Sequence, residues 1–255
     1  MTLTVPPQQA PAAFGQARTT VLVTGFGPFP GVPVNATMQL LPELLRAAPR
    51  HFPDVHLAGE VLPTEWAAAP RRLERLLAEI EPDLALHFGV SSRARGFEIE
   101  TRAQNACSAS VDAAGLAPPG TAIDASGPDF LGAGLPAQYI VTRLRRRGIA
   151  AFVSRDAGAY LCNATLYHSL GQARRAPGRR VGFVHVPASL ARPGGSNRGR
   201  AGACPLTWEQ TLEGALEILA ACLGRPQREA SAVQAAPRRR FRSAGYGTMR
   251  GWPKP

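Results

Sequence analysis

"EWAAAPRRLERLLAEIEPDLALHFGV", Glu65 to Val90, carries two periodicities back to back. In its first part Leu73, Leu76, Leu77 and Ile80 recur at spacings of three and four while Arg and Glu fill the remaining positions, which predicts an amphipathic helix. After Glu81-Pro82 the chain turns almost continuously apolar from Asp83 to Val90, as a strand does when both its faces are covered. A helix that delivers the chain to a doubly buried strand is half of a βαβ unit, and it predicts a parallel sheet.

The same alternation extends outward in both directions. "TTVLVTGF" (Thr19–Phe26) is a β-branched run that ends in a loop, and "TMQLLPELLRAAP" has helical spacing, which Pro42 is expected to cut to an early turn or a kink. "VHLAGEVLPTE" alternates as a strand. Beyond Val90, "GFEIETRAQNACSASV" lacks helix formers and reads as extended, followed by a Gly/Pro-rich loop from Ala113 to about Pro136. Then come a helix closed by Gly148, a strand in "IAAFVSRDAG", a helix from Asn163, a strand in "RVGFVHVPA" and a last helix in "LTWEQTLEGALEILAACLG". The expected fold is α/β: a single three-layer domain, its mostly parallel sheet covered by helices on both faces. Its expected limits are 19–224, with a disordered Pro/Gln/Ala-rich extension at 1–18 and a basic, flexible tail at 225–255.

Composition narrows the function. The net charge is +11, from 29 basic and 18 acidic residues, but Pro237 to Pro255 alone holds six basic residues and no acidic one. Within the domain Arg alternates with Glu along helices, the pattern of a solvated face, so no nucleic-acid partner is expected. Four cysteines (Cys107, Cys162, Cys204 and Cys222) form no CxxC pair, which points to neither a disulfide framework nor a metal site. No secretory leader and no apolar run of about 18 residues occurs, so a cytoplasmic protein without a membrane partner is expected.

In α/β sheets ligands collect at the carboxyl ends of the strands, and the informative residues lie in those loops. "GFGPFPG" is not a dinucleotide fingerprint, because Pro30 stands where the third glycine belongs and no helix follows directly. It presents two rings, Phe26 and Phe29, which either fill the core or wall a small apolar pocket. "GAYLCNATLYHSL" places Cys162 between a Gly-containing bend and a helix start, where a thiolate would face open N–H groups and the positive end of the helix dipole. A base for it would have to be one of five histidines. His51 and His56 lie in a polar loop and His168 points away along the helix, which leaves His87 and His185. Glu100, an isolated acid in an apolar strand, could orient an imidazole. Spacing alone only suggests a nucleophile, a base and an acid.

Six stretches together go further: "VLVTGFGPFPGVPVN", "EVLPTEW", "PDLALHFGV", "FEIETRAQN", "GIAAFVSRDAGAYLCNATLYHSL" and "GFVHVP". In this order, over Val21 to Pro187, the chain resembles the pyrrolidone carboxyl peptidases (pyroglutamyl peptidase I), cysteine peptidases that remove N-terminal pyroglutamate. The resemblance implies a phosphorylase/hydrolase-like fold with Cys162 as nucleophile, His185 as base and Glu100 as its acid. It further implies Phe26 and Phe29 around the lactam ring with Asn35, Val90 and Leu161 beside it, no cofactor or metal, peptide substrates bearing pyroglutamate, and a homo-oligomer, tetramer or dimer. The chain departs from the family pattern at "PFPG" and "NAT" in the pocket loops. It also lacks the Arg and PDN-like turn after "FEIETRAQN", Ser110 falling near the Arg position, and the aromatic after "HVP". The first of these two losses predicts a loop around Ser110 that is more mobile or that orders only with ligand. The alternatives are an inactive relative that binds small lactams or peptides, and a partner-binding protein acting through its basic tail.

Overall fold

The computed structural model describes residues 18–190 and 204–227. The expected N-terminal extension, Arg18 apart, and the basic tail beyond Gln227 lie outside the described residues. The chain runs β1 (Thr19–Phe26), α1 (Ala36–His51), β2 (Val55–Leu62), α2 (Ala68–Ile80), β3 (Leu84–Ser91), β4 (Phe97–Glu100), β5 (Arg102–Gln104), β6 (Phe130–Gly132), α3 (Ala137–Arg146), β7 (Ala151–Ser154), α4 (Leu161–Ala173), β8 (Arg180–Pro187) and α5 (Trp208–Cys222). Six strands form one sheet in the order β2-β1-β3-β8-β4-β7, and β5 pairs with β6 in a separate antiparallel ribbon. The stretch read above as helix then buried strand is α2 and β3, and seven of the eight residues of β3 are buried.

One expectation needs correcting, and the sheet is mostly parallel as expected. α1 continues through Pro42 and Pro49. Both prolines lie on the exposed side, where water can satisfy the carbonyl that each leaves unpaired, while Leu40, Leu41, Leu44 and Ala48 are buried opposite them. The sheet is parallel across β2, β1, β3 and β8, but β4 runs antiparallel to β8 and carries β7 parallel to itself. The link from β3 to β4 is only residues 92–96, too short for the crossover of a dozen or more residues that parallel neighbours need. β6 is a further difference: its three residues, of which Leu131 is buried, are too few to show a period inside the Gly/Pro-rich loop.

The two faces of the sheet are covered separately. Leu22 and Phe26 of β1, Ala85 of β3 and Val181 and Phe183 of β8 pack against apolar residues of α2 and α4. On the other face Val21, Val23, Leu84, Leu86, Val184 and Val186 pack under α1, α3 and α5. Arg143 of α3, buried, donates to the carbonyls of Arg225 and Pro226 and to Glu217 of α5 at 2.6 Å, so the chain is fastened to the domain through Gln227. Among the described residues no helix is long and apolar enough to cross a membrane.

Candidate active site

β7 ends at Ser154, and the chain returns to the sheet through a tight turn. Gly158 takes φ of 76°, and its N–H donates to Asp156 Oδ1 at 3.0 Å. α4 begins at Leu161 rather than at Asn163, so Cys162 lies inside the first helical turn. Tyr160, at the N-cap, makes no side-chain capping bond, and the first helical bond is Ala164 N–H to the Tyr160 carbonyl at 3.1 Å. The earlier N–H groups of that turn are therefore open to an anion, and the helix dipole favours one.

The sulfur of Cys162 sits directly over β3. A methyl group added at Gly89 would come within 2.8 Å of Cys162 Sγ and within 2.8 Å of the Phe183 ring, so the missing side chain of Gly89 makes the space the thiol occupies. Gly89 is the register partner of His185 on β8. His185 accordingly lies beside the sulfur, its imidazole hydrogen-bonded to Cys162 on one side, and its Nδ1 is 2.8 Å from Glu100 Oε1 on the other. Glu100 is fully buried at the end of β4, and its Oε2 has no hydrogen-bond partner among the described residues. Burial alone would lower the affinity of His185 for a proton. Hydrogen bonds and charge from Cys162 and Glu100 outweigh it, and push the imidazole up to about 10.

Asn163 holds the two halves of this arrangement in register. Buried beside Cys162, it accepts from Gln104 N–H at 2.9 Å and donates to the carbonyls of Gln104 and Ala106, which clamps α4 to β5, the strand that follows Glu100. Gln104 Nε2 donates back to the Gly158 carbonyl at 2.7 Å, and Thr101 Oγ1 to the Ser154 carbonyl at 2.7 Å. Glu98, two residues before Glu100, faces the same way, and atoms of Glu98, Glu100 and His185 approach within 4.8 Å of one another. With Nδ1 of His185 and one Glu100 oxygen already engaged, this trio offers too few free donors to hold a metal ion.

Cys162 and His185 line a cavity of about 480 Å³. Phe26, Phe29, Asn35, Val90 and Leu161 all line it as well, but their parts differ. Phe29 is half-buried and its ring faces Tyr160 at 5.7 Å, whereas Phe26 is buried and leans on Phe183 at 6.3 Å. Asn35 caps α1 by accepting from Thr37 N–H and holds the Gly27 carbonyl with its amide, so it shapes the loop that carries Phe29. Thr64 and Tyr160 line the cavity without having stood out in the sequence, since they sit in links with no periodicity. Part of the lining is polar, with Ser91, Ser92 and the exposed pair Arg93 and Asp156, 3.4 Å apart.

The loop around Ser110 is held rather than loose. Asp112, buried, accepts from Trp66, Ala114 and Leu116 N–H groups at 2.9 Å each; Trp66 Nε1 donates to the Ser110 carbonyl and Tyr160 Oη to that of Val111. An acid two residues on thus anchors the segment in which the Arg and the PDN-like turn are missing. His87, left open as a base by the sequence, is buried between Thr24 Oγ1 and Ser169 Oγ, each at 2.8 Å, and burial lowers it to about 3. It is a neutral strut under α4. Of the other cysteines, Cys222 is buried with its thiol pushed up to about 12 by desolvation, and Cys107 is shifted the same way. Neither lines the cavity.

The family model described as pyroglutamyl peptidase matches residues 19–214. The chain is 37% identical to the pyrrolidone-carboxylate peptidase of Pyrococcus furiosus over 169 residues, 66% of this chain and 80% of that one. It is 30% identical to that of Oceanobacillus iheyensis over 207 residues, 80% and 98% of the two chains. Among solved structures, a mutant pyrrolidone carboxyl peptidase from P. furiosus superposes with a TM-score of 0.72 at 32% identity, over 81% of this chain and 99% of that one. Pyroglutamyl peptidase I from Bacillus amyloliquefaciens does so with a TM-score of 0.71 at 27% identity, over 81% and 98%.

Proposed function

The chain belongs to the pyroglutamyl peptidase family and is a cysteine peptidase that hydrolyses the bond after an N-terminal pyroglutamate, and from that premise we propose that Cys162, His185 and Glu100 carry the reaction. What supports the assignment most is the unbroken line from Cys162 through His185 to buried Glu100 at the wall of the cavity. The thiolate attacks the carbonyl carbon that joins pyroglutamate to the next residue, and the open N–H groups of the first turn of α4 receive the oxyanion. Protonated His185, held by Glu100 through Nδ1, gives its other ring proton to the departing amine, leaving a thioester on Cys162. Neutral His185 then takes a proton from water as it attacks the thioester, and pyroglutamate leaves as the thiolate is restored.

The aromatic end of the cavity takes the lactam, with Phe29 and Tyr160 as its half-buried faces and Phe26 behind them. A blocked, neutral terminus suits such a site, whereas a free ammonium there would need a carboxylate partner. The polar part of the lining, Ser91, Ser92, Arg93 and Asp156, suits the peptide beyond the scissile bond. Assembly as a homodimer or tetramer, a cytoplasmic location, and a catalytic domain flanked by an N-terminal extension and a basic tail belong to the same proposal.

Cys162→Ala is expected to abolish release of a chromophore from a pyroglutamyl substrate while the circular dichroism spectrum and melting curve stay those of the parent protein. Undiminished turnover in the purified variant would remove Cys162, and the mechanism with it.

A further inference from the structure

The mechanism uses one of two acids on the site-facing side of β4. The other, Glu98, is the direct cross-strand partner of His185 in the antiparallel ladder between β4 and β8, so the two side chains emerge side by side on one face. One carboxylate oxygen of Glu98, one of Glu100 and one ring nitrogen of His185 all lie within 4.8 Å of one another. Glu98 is only half-buried, near the exposed pair Arg93 and Asp156 at the rim of the cavity, whereas Glu100 is closed off from water. Glu100 reaches His185 with one oxygen and leaves the second, buried, without a partner. The imidazolium therefore has an unequal pair of carboxylates beside it.

We propose that Glu98 is a second positioning carboxylate for the peptidase reaction, one that holds His185 protonated by charge rather than by hydrogen bond and so sets the pH range in which the Cys162–His185 ion pair exists. An anion this close to the ring favours imidazolium, and it disfavours the more distant thiolate by a smaller amount. The effect on the two limbs of a bell-shaped activity profile is therefore in one direction, and largest on the alkaline limb, where His185 loses its proton. The charged or titratable groups around Glu98 are few: His185 and Glu100, Arg93 from the link before β4, and Asp156 from the link after β7, while α4 contributes Cys162 to His185. Against the opposite face of β4, α3 and α5 bring Arg143 and Glu217, which are paired with each other. Burial raises the Glu98 carboxyl, with His185 and Arg93 opposing and Glu100 and Asp156 adding to the rise, so its charge fades on acidification before that of an ordinary glutamate would.

The inference rests on the assignment of Cys162 and His185 made above, and its test separates the two. In Glu98→Gln of the full chain, kcat/KM for a pyroglutamyl chromogenic substrate is expected to keep its bell shape with the alkaline limb moved toward acid by about half a unit to one unit. The acid limb is expected to move less, in the same direction, and the pH dependence of iodoacetamide alkylation of Cys162 to move with both. Glu98→Asp, which restores the charge, is expected to return the alkaline limb most of the way. An alkaline limb unmoved in Glu98→Gln, or moved equally in Glu98→Asp, overturns the proposal, since charge would then not be the cause. Should Glu98→Gln fail to fold, Glu98→Ser carries the same comparison. Turnover in Cys162→Ala would defeat the assignment itself, whereas an inactive Cys162→Ala with unmoved limbs defeats only the role of Glu98.

Discussion

A single missing side chain decides whether the Cys162 sulfur fits. Gly89 faces the Cys162 sulfur across the top of the sheet, and any Cβ there would overlap both Sγ and the Phe183 ring at 2.8 Å. Neither neighbour is the end of a long flexible chain, so something in the site must shift. Gly89→Ala is expected to lower kcat/KM by tenfold or more and stability by about 1–3 kcal/mol, the usual range for overpacking, read by the chromogenic assay and by urea unfolding. Wild-type turnover in that variant would mean the sulfur has another resting place. Nothing in "LHFGV" marks this glycine: it reads as one more residue of an apolar run, and its meaning depends on a helix that arrives some seventy residues later. Cys162 and Glu100 stand out in the sequence because their chemistry is rare in apolar contexts, whereas the residues alone leave His87 beside His185 and only the family resemblance chooses between them. Tyr160 and Thr64 do not stand out, because a loop residue signals a wall only once the loop has been folded over something.

At the scale of elements, α4 is tied to the sheet through Cys162 above Gly89 and through Ser169 above His87, two turns apart on one helix face. The two histidines of this face affect stability with opposite sign. His87 is neutral when buried, at about 3 against about 6.5 in the unfolded chain, so the unfolded state binds more protons between these values and stability falls as pH drops through that window. His185, raised to about 10, contributes stability that is fully present below about 6.5 and is lost as pH rises through 10. For His87 the loss between pH 7 and pH 5 is about 2 kcal/mol. Urea unfolding at the two pH values is expected to show a pH dependence that His87→Gln reduces by about that amount, and an unchanged difference would show His87 to be protonated in the fold. Periodicity made the helices and most strands legible in advance. Strand direction is another matter, because the composition of β4 and β7 would be the same whichever way they ran, and only the five-residue link before β4 hints at its reversal.

Over the whole molecule, the domain is closed by a buried ion pair far from the chemistry. Arg143 binds Glu217 and the carbonyls of Arg225 and Pro226, so α3, α5 and the chain leaving the domain meet at one guanidinium. Arg143→Ala removes a buried guanidinium that binds Glu217 and two backbone carbonyls, and is expected to destabilise by about 3 kcal/mol. That lowers Tm by roughly 10 °C for a domain of this size, while kcat/KM at 25 °C stays within about twofold of the parent value. A collapse of activity without a loss of stability would mean that this junction reaches the site. The order of the sheet adds a constraint on biosynthesis. β8, the last of the described strands to leave the ribosome, is inserted between β3 and β4. Until it emerges, the nascent polypeptide has two half-sheets, β2-β1-β3 and β4-β7, each with an unpaired edge open to other chains, and it still lacks the imidazole. A chain that stops anywhere before Arg180 therefore presents both half-sheets with open edges, and the sheet closes only once β8 has been made.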